Sequence, residues 1–429
     1  MGRYRVALLK CVILPAESAL TVEWAPVILR EVTEKYMDFI LQIASGLIQL
    51  PWWGYVLVAL ALTHVTIAGV TIYLHRYSAH RALEMHPVVT HFFRFWLWLS
   101  TGMVTKQWTA VHRKHHAKVE TPEDPHSPQV YGLRKVLLEG SELYRKGTAD
   151  PDTIAKYGHG TPDDWIERNI YSRHSVMGVS LMMVINLVLF GPIGAAIWAV
   201  QMAWIPVMAA GVINGVGHFH GYRNFQTEDA STNIVPWGIL IGGEELHNNH
   251  HAYASSARLS NKWFEFDIGW LYIRLMEIVG LAEVRKLAPR IRIEAGKVKC
   301  DLQTLQAVIT HRYDVVARFG RTLMTTWREE LKALRSRGES VDGSLFKRGL
   351  QRDSKDLLAT ERAELEEVLT KSKVLATIYS MRQELSSLWA RSTASKEQLL
   401  HQLEDWCHRA ERSGIVPLQQ FSRTLRGYA

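Results

Sequence analysis

Nineteen histidines occur among 429 residues, and eight of them fall into three tight patterns. His75-Arg-Tyr-Ser-Ala-His80 spells HxxxxH. His112-Arg-Lys-His115-His116 and His247-Asn-Asn-His250-His251 both spell HxxHH. At this histidine frequency HxxHH is expected roughly 0.04 times by chance, so two copies point to metal ligation. On an α-helix, residues i, i+3 and i+4 share a face. His112, His115 and His116 therefore point one way, as do His247, His250 and His251. Positions i and i+5 differ by about 140°, so His75 and His80 diverge towards two different metals unless the helix ends near Ser78. Three clusters supply more imidazoles than one ion uses, and two ions is the economical count. All-nitrogen sites suit zinc, copper, iron or nickel, and zinc is redox-inert. The spacing itself does not select iron. His64, His86, His91, His159, His174, His311, His401 and His408 stand alone and read as ordinary surface or core residues. His126 and His220 are candidates for positions near the site.

The elements that carry these boxes lie at a membrane. Trp52 to Leu74 is 23 residues long and uncharged, enough to cross about 30 Å of hydrocarbon as a helix. Val176 to Val216 is a second uncharged block, 41 residues long, interrupted by Gly191-Pro192-Ile193-Gly194. Two crossings joined by a tight turn are expected there. Met37 to Leu50, followed by Pro51-Trp52-Trp53-Gly54, is the candidate first arm of a hairpin, with the tryptophans in the interface belt. Val88 to Thr105 contains His91 and Arg94, which are costly at mid-bilayer, and reads as an interfacial or protein-buried segment. The loop from Lys106 to Arg173 holds eleven Lys and Arg residues, which makes it cytoplasmic. If Val88–Thr105 does not cross, all three boxes share that face. A crossing there would separate the first two boxes, so a shared site argues against it. The first 15 residues lack the pattern of a cleavable signal peptide. The expected fold is all-α, an integral membrane protein with about four transmembrane helices. A membrane face suggests a lipid substrate, and a redox metal pair beside lipid chains suggests O₂ activation and C–H attack. A histidine-rich metal transporter or sensor, the reading from another functional class, would place ionisable residues within the crossings.

Composition narrows the remainder. Lys+Arg 50 against Asp+Glu 42 leaves a net charge of +8. Cys11, Cys300 and Cys407 lie far apart in sequence, which argues against a thiolate metal site, an iron–sulfur cluster or a disulfide scaffold and fits a reducing compartment. From about Val284 the chain turns rich in Arg, Glu, Leu and Ala. Leu365, Val368, Leu369, Leu375, Ile378, Tyr379, Leu385 and Leu388 form one approximate 3.6-residue stripe, so an amphipathic helix packs there. Three regions are expected: 1–36 as an N-terminal cytoplasmic segment, 37–285 as the membrane catalytic domain and 286–429 as a soluble helical region. Lys106, Arg113, Lys114 and Lys118 near the second box serve either as positive-inside residues or as contacts for a phosphorylated head group.

The boxes HRYSAH, HRKHH and HNNHH, together with DPHSP at residues 124–128, resemble the membrane fatty-acyl desaturase family, nearest the stearoyl-CoA or Δ9 acyl-lipid branch. The resemblance covers roughly residues 37–285. It implies a cytoplasmic helical cap holding two irons, with O₂ as co-substrate. The ligands it implies are His75, His80, His112, His115, His116, His247, His250 and His251. An NxxxH element adds His218 as a ninth ligand, with Asn214 holding a metal through a water. The implied reaction inserts a cis double bond, Δ9 by branch, into a saturated C16–C18 chain carried as a fatty acyl-CoA or a phospholipid. No HPGG-type cytochrome b5 haem segment is present, so the resemblance implies a separate electron donor, either a ferredoxin or a cytochrome b5-like protein with its reductase. A bacterial inner membrane is the expected location, with the boxes and the C-terminal region cytoplasmic. A related membrane di-iron hydroxylase or monooxygenase is the alternative reaction. A soluble di-iron carboxylate protein would need ExxH pairs on helices. Glu123 to His126 has that spacing, but Pro125 breaks its helix. The end of the chain, Trp406 to Ile415, resembles the C-terminal helices of some transposases. Its basic residues alternate with acidic ones, so no nucleic-acid partner is expected.

Overall fold

The computed structural model describes residues 30–31, 33–37, 45–294, 296–351, 357–390 and 393–429. Most of the 1–36 segment and half of the Met37–Leu50 hairpin arm lie outside the described residues, as does the stretch without a signal-peptide pattern.

Helix α1 (Trp52–Ala68) continues without a break as a π-helix over Gly69–Ala79. Trp52, Val56, Leu57 and Leu60 are exposed on its first half, whereas Val70 to Arg76 are buried. One end of this long helix thus presents an apolar surface outward, and the other enters the protein. Helix α2 (Pro87–Thr101) is amphipathic and short. Its Arg94 is buried, with Nη1 donating to Asp164 Oδ2 at 2.6 Å and Nη2 to Glu167 Oε2 at 2.9 Å. A guanidinium held by two protein carboxylates fits the expectation that this segment packs within the protein. Helix α3 (Thr105–Lys118) follows, then α4 (Leu133–Thr148) and α5 (Pro151–Tyr157).

Helices α6 (Ser175–Phe190) and α7 (Pro192–Trp204) are joined at the expected turn. Gly191 there has φ +60°, a conformation that costs a side-chain-bearing residue. After a short π-helix at Glu167–Tyr171, α7 is the second helix to run on into one, over Ile205–Ile213, followed by a last turn, Asn214–Val216. Two continuous helices, Trp52–Ala79 and Pro192–Val216, are long and apolar enough to cross a membrane, and Ser175–Phe190 is a shorter apolar helix. α4 lies against the Ile205–Ile213 π-helix so closely that a Cβ on Gly140 would stand 2.5 Å from the Ala210 carbonyl oxygen.

Strands are few among the described residues. β1 (Leu83–Met85) pairs antiparallel with β4 (Ala282–Val284), and β2 (Trp237–Gly238) pairs parallel with β3 (Phe266–Asp267). Helix α8 (His247–Ala252) carries the third histidine box, and α9 (Ile268–Ile278) closes the first half of the chain.

The C-terminal region folds as α10 (Leu302–Thr310), α11 (Arg312–Thr322), α12 (Met324–Ser336), α13 (Gly343–Gln351), α14 (Ala359–Lys371), α15 (Lys373–Ser387), α16 (Lys396–Arg412) and α17 (Val416–Arg426). Its hydrophobic core draws all its buried members from Leu305 to Tyr428 and is separate from the cores of the first half. The stripe from Leu365 to Leu388 is buried as expected but on two helices rather than one. Ser372 is extended (φ −145°, ψ 115°) and its hydroxyl accepts from the Leu375 amide, ending α14 and capping α15. A serine at an N-cap outweighs continuous apolar periodicity.

Candidate metal centre

The first box sits where α1 has become a π-helix. There each amide bonds the carbonyl five residues back, and His80 N donates to His75 O at 3.1 Å. Residues i and i+5 are stacked by that pattern. The expected divergence of His75 and His80 is therefore incorrect: their rings lie 4.8 Å apart and face the same space. Arg76, between them, is fully buried. It donates to Asp267 Oδ1 at 2.9 Å, Gly242 O at 2.9 Å and Ala257 O at 3.0 Å. One guanidinium thus ties the first box to the segments flanking the third.

All nine histidines come together in two groups. His75, His80, His112, His116 and His250 have one ring nitrogen each within 4.8 Å of one another, and so do His115, His218, His247 and His251. Each HxxHH box serves both groups. In α3, His112 and His116 join the first and His115 the second. In α8, His250 joins the first while His247 and His251 join the second. The shared helical face is thus divided along its width.

Within the groups, Nε2 atoms face each other: His75 with His250 at 3.1 Å, His80 with His112 at 2.8 Å, His116 with His250 at 2.8 Å, and His218 with His247 at 3.0 Å. Ligand nitrogens about 2.1 Å from one ion, at right angles, stand about 3 Å apart. His115 Nε2 and His251 Nε2 are buried with no hydrogen-bond partner in the protein, an expense explained by a ligand role. The donor set and its spacing fit a metal ion in each group.

The opposite ring nitrogens are anchored. Nδ1 of His75 meets Glu244 Oε1 at 2.7 Å, His115 meets Asp124 Oδ1 at 3.0 Å, His218 meets Glu120 Oε1 at 3.3 Å, and His251 meets Asp229 Oδ2 at 2.9 Å. A carboxylate on Nδ1 fixes the tautomer and leaves Nε2 free to coordinate. Asp124 lies in the DPHSP motif and Glu244 three residues before the third box. Glu120 and Asp229 carry no local sequence signal and were not expected. Glu120 has φ +58°, and its carboxylate also accepts from Ala230 N at 2.7 Å. Backbone strain is thus maintained beside the site.

The two asparagines inside the third box hold its helix in place. Asn248 Oδ1 accepts from the amides of Asn224 and Phe225, both at 2.9 Å, and Asn249 Nδ2 donates to Glu265 Oε2 at 2.8 Å. Burial, reinforced by neighbouring imidazoles, pushes His80, His112, His116, His247 and His250 well below the ordinary histidine value. Burial also lowers His251, with Asp229 opposing, to about 4. For Asp229, burial acts upward, but the adjacent His251 outweighs it and holds the carboxyl well below its usual range. Neutral imidazoles are the form that binds metal.

His126 stacks on His115 at 4.4 Å and is buried beside the second group, whereas His220 is exposed. The isolated histidines join neither group; His64, for example, pairs with the Tyr272 hydroxyl at 2.6 Å. Arg113 donates to the carbonyls of Ser78, Ala79, Tyr157 and His159. Lys114 binds Asp150 and Thr153, and Lys118 binds Glu123. These three cations bind the protein's own groups. Lys106 packs its stem beside Gly158.

An apolar cavity opens against the histidines. Val70, Trp108, Val111, Ile205, Ala209 and Ile213 wall it, and His75, His112, His247 and Asn214 reach its surface.

Comparison with known proteins divides the chain at the same place as its hydrophobic cores. Residues 50–259 match the fatty acid desaturase family model, and residues 303–429 match a transposase family model. Delta-9 acyl-lipid desaturase 1 of Arabidopsis thaliana is 30% identical over 239 residues, 55% of this chain and 76% of the relative. An acyl-CoA 5-desaturase of Anemone leveillei is 30% identical over 245 residues, 52% of this chain and 70% of the relative. The sn-1 stearoyl-lipid 9-desaturase of Anabaena variabilis is 28% identical over 245 residues, 56% of this chain and 86% of the relative.

Proposed function

Because the chain belongs to the membrane fatty-acyl desaturase family and is an oxidoreductase acting as an acyl desaturase, we propose that it inserts a cis Δ9 double bond into saturated C16–C18 acyl chains. The observation that carries this reading is the convergence of nine histidines into two groups against one apolar cavity. His75, His80, His112, His116 and His250 would hold one iron. His115, His218, His247 and His251 would hold the other, with Asn214 contributing through a water. The iron pair, when bound, supplies the oxidising power that O₂ and two electrons from a separate carrier generate.

The chain's own residues prepare that chemistry. Glu244, Asp124, Glu120 and Asp229 fix their histidines through Nδ1. Burial keeps the imidazoles neutral, and the cavity wall excludes water from the reacting segment. Which carbon reacts is then set by where the cavity holds the chain, since placement to within about 1 Å controls rate. Two of the relatives are named for action on lipid-bound or CoA-bound chains, and either carrier satisfies this reading.

The topology follows from the same shared site. Trp52–Ala79, Ser175–Phe190 and Pro192–Val216 cross the membrane, and the boxes and C-terminal helices occupy the cytoplasmic face of a bacterial inner membrane. Residues 37–285 form the catalytic domain and 286–429 an accessory helical one. The test is fatty acid methyl ester analysis by gas chromatography after expression in a host lacking desaturases. Δ9-monounsaturated products are expected. Hydroxylated fatty acids without new double bonds would replace this reading with a hydroxylase.

A further inference from the structure

Two of the chain's three cysteines, 107 positions apart, meet in the C-terminal region. Cys300 Sγ and Cys407 Sγ are 3.9 Å apart. Cys300 is half-buried in the connector just before α10, and Cys407 is fully buried in the middle of α16. Their surroundings hold them there. The Cys300 amide donates to Glu404 Oε2 at 2.8 Å, one helical turn before Cys407, and Ser422 Oγ donates to the Cys407 carbonyl at 3.1 Å. We propose that Cys300 and Cys407 are a redox-active pair that closes reversibly to a disulfide.

Sulfurs 3.9 Å apart are in contact, and closing to a bond of about 2.05 Å needs each to move by only about 1 Å. The pair is also asymmetric. The contact with Cys407, together with burial, pushes the Cys300 thiol up, whereas the contact with Cys300, with Ser422 and Arg426 beside it, holds Cys407 down against its burial. Cys407 is therefore the nucleophile, and the half-exposed Cys300 marks the side from which a small oxidant enters.

With hydrogen peroxide as oxidant, the Cys407 thiolate attacks one peroxide oxygen. An S–O bond forms, the O–O bond breaks, and the departing hydroxide takes the Cys300 proton to become water. The Cys300 thiolate then attacks the Cys407 sulfur. The S–S bond forms, the S–O bond breaks, and the second hydroxide takes up the proton first released by Cys407. Two thiols and one peroxide give one disulfide and two waters, with two electrons passing from sulfur to oxygen.

The position of the bond gives it a consequence. The connector is tied to the first half by Lys286 O and Ala288 N, which bond Ala257 N and Ser256 Oγ. It is tied to the chain end by Glu294 N to Gly427 O at 2.7 Å and Ala429 N to Arg292 O at 3.0 Å. A disulfide at Cys300 converts this hydrogen-bonded lashing into a covalent one.

The experiment treats the reduced full-length protein with hydrogen peroxide, alkylates it with N-ethylmaleimide, and maps its peptides by mass spectrometry with and without dithiothreitol. The expected result is a Cys300–Cys407 cross-linked peptide, two hydrogens lighter than the dithiol, that dithiothreitol returns to two alkylatable thiols. Cys11 should remain alkylated throughout. Cys300→Ser should abolish the cross-link and let dimedone trap a sulfenic acid on Cys407. Two fully alkylated cysteines after peroxide would overturn the proposal, as would sulfinic acid without a cross-link or a cross-link through Cys11. Oxidation should also slow tryptic cleavage at Arg290, Arg292, Lys297 and Lys299 several-fold; unchanged cleavage would remove the lashing role.

Discussion

The two halves of this chain bury different things. Around the histidines the interior holds His, Asp, Glu, Asn and an arginine, joined by hydrogen bonds between named partners or turned towards a metal position, although Nδ1 of His247 and of His250 has no partner. The C-terminal helices bury mainly Leu, Val, Ile, Phe and Trp, as ordinary helix packing does. Polar burial on the first scale is costly and persists where chemistry needs it. The catalytic half is therefore specified by side-chain partners, and the C-terminal half by volume and periodicity. Substitutions should respond accordingly.

The largest effect should come from His250, which faces both His75 and His116. His250→Ala is expected to reduce unsaturated product below detection and to lower bound iron, read by gas chromatography and metal analysis of the same preparation. The anchoring carboxylates come next. Asp124→Asn and Asp229→Asn keep shape but remove the charge that orients His115 and His251, and each should cost about 10–100-fold in activity or metal affinity. A full complement of iron with unchanged turnover in both variants would mean that these carboxylates are packing residues only.

That division also explains what the sequence made legible. The six histidines of the two HxxHH boxes were readable as clusters because helical spacing converts directly into a shared face, whereas His218 entered only through the NxxxH element of the family resemblance. The allocation of the six was not readable, because the histidines divide into two groups across that face and His115 parts from His112 and His116. The i, i+5 pair of the first box misled for a physical reason. Gly69–Ala79 winds as a π-helix, and no residue pattern there announced the change of hydrogen bonding. Glu120 and Asp229 were hidden because they reach their histidines across 98 and 22 positions. In the C-terminal half the apolar stripe was legible, and the break at Ser372 was hidden within it. Half of the candidate first hairpin arm falls outside the described residues, and the shared-site argument bears only on the segments that follow it.

The contrast can be sharpened from the other side. Leu375 is fully buried in the C-terminal core, and Leu375→Ala should destabilise that region by about 2–5 kcal/mol while leaving iron content unchanged. Thermal unfolding followed beside metal analysis checks both. The two halves do touch: Gln226 N donates to Tyr313 O at 3.1 Å, and the Tyr253 hydroxyl meets His311 Nδ1 at 3.3 Å. If Leu375→Ala costs iron, the C-terminal helices are a brace for the third box rather than an accessory.

The smallest effect concerns pH. The buried imidazoles have folded pKa values below their unfolded value of about 6.5, so the unfolded state binds more protons as pH falls. Metal-free protein should hold its full stability above about pH 6.5 and lose it progressively below. Melting temperatures at pH 7.5 and 5.5 give the comparison. A replacement of the neutral core residue Leu375 should leave the slope of that dependence unchanged.

The central claim is that the nine histidines hold two irons, one in each group. Metal analysis of purified protein expressed in iron-replete medium tests it most directly. The account predicts about two irons per chain, falling with His250→Ala. One zinc per chain and no iron would contradict it.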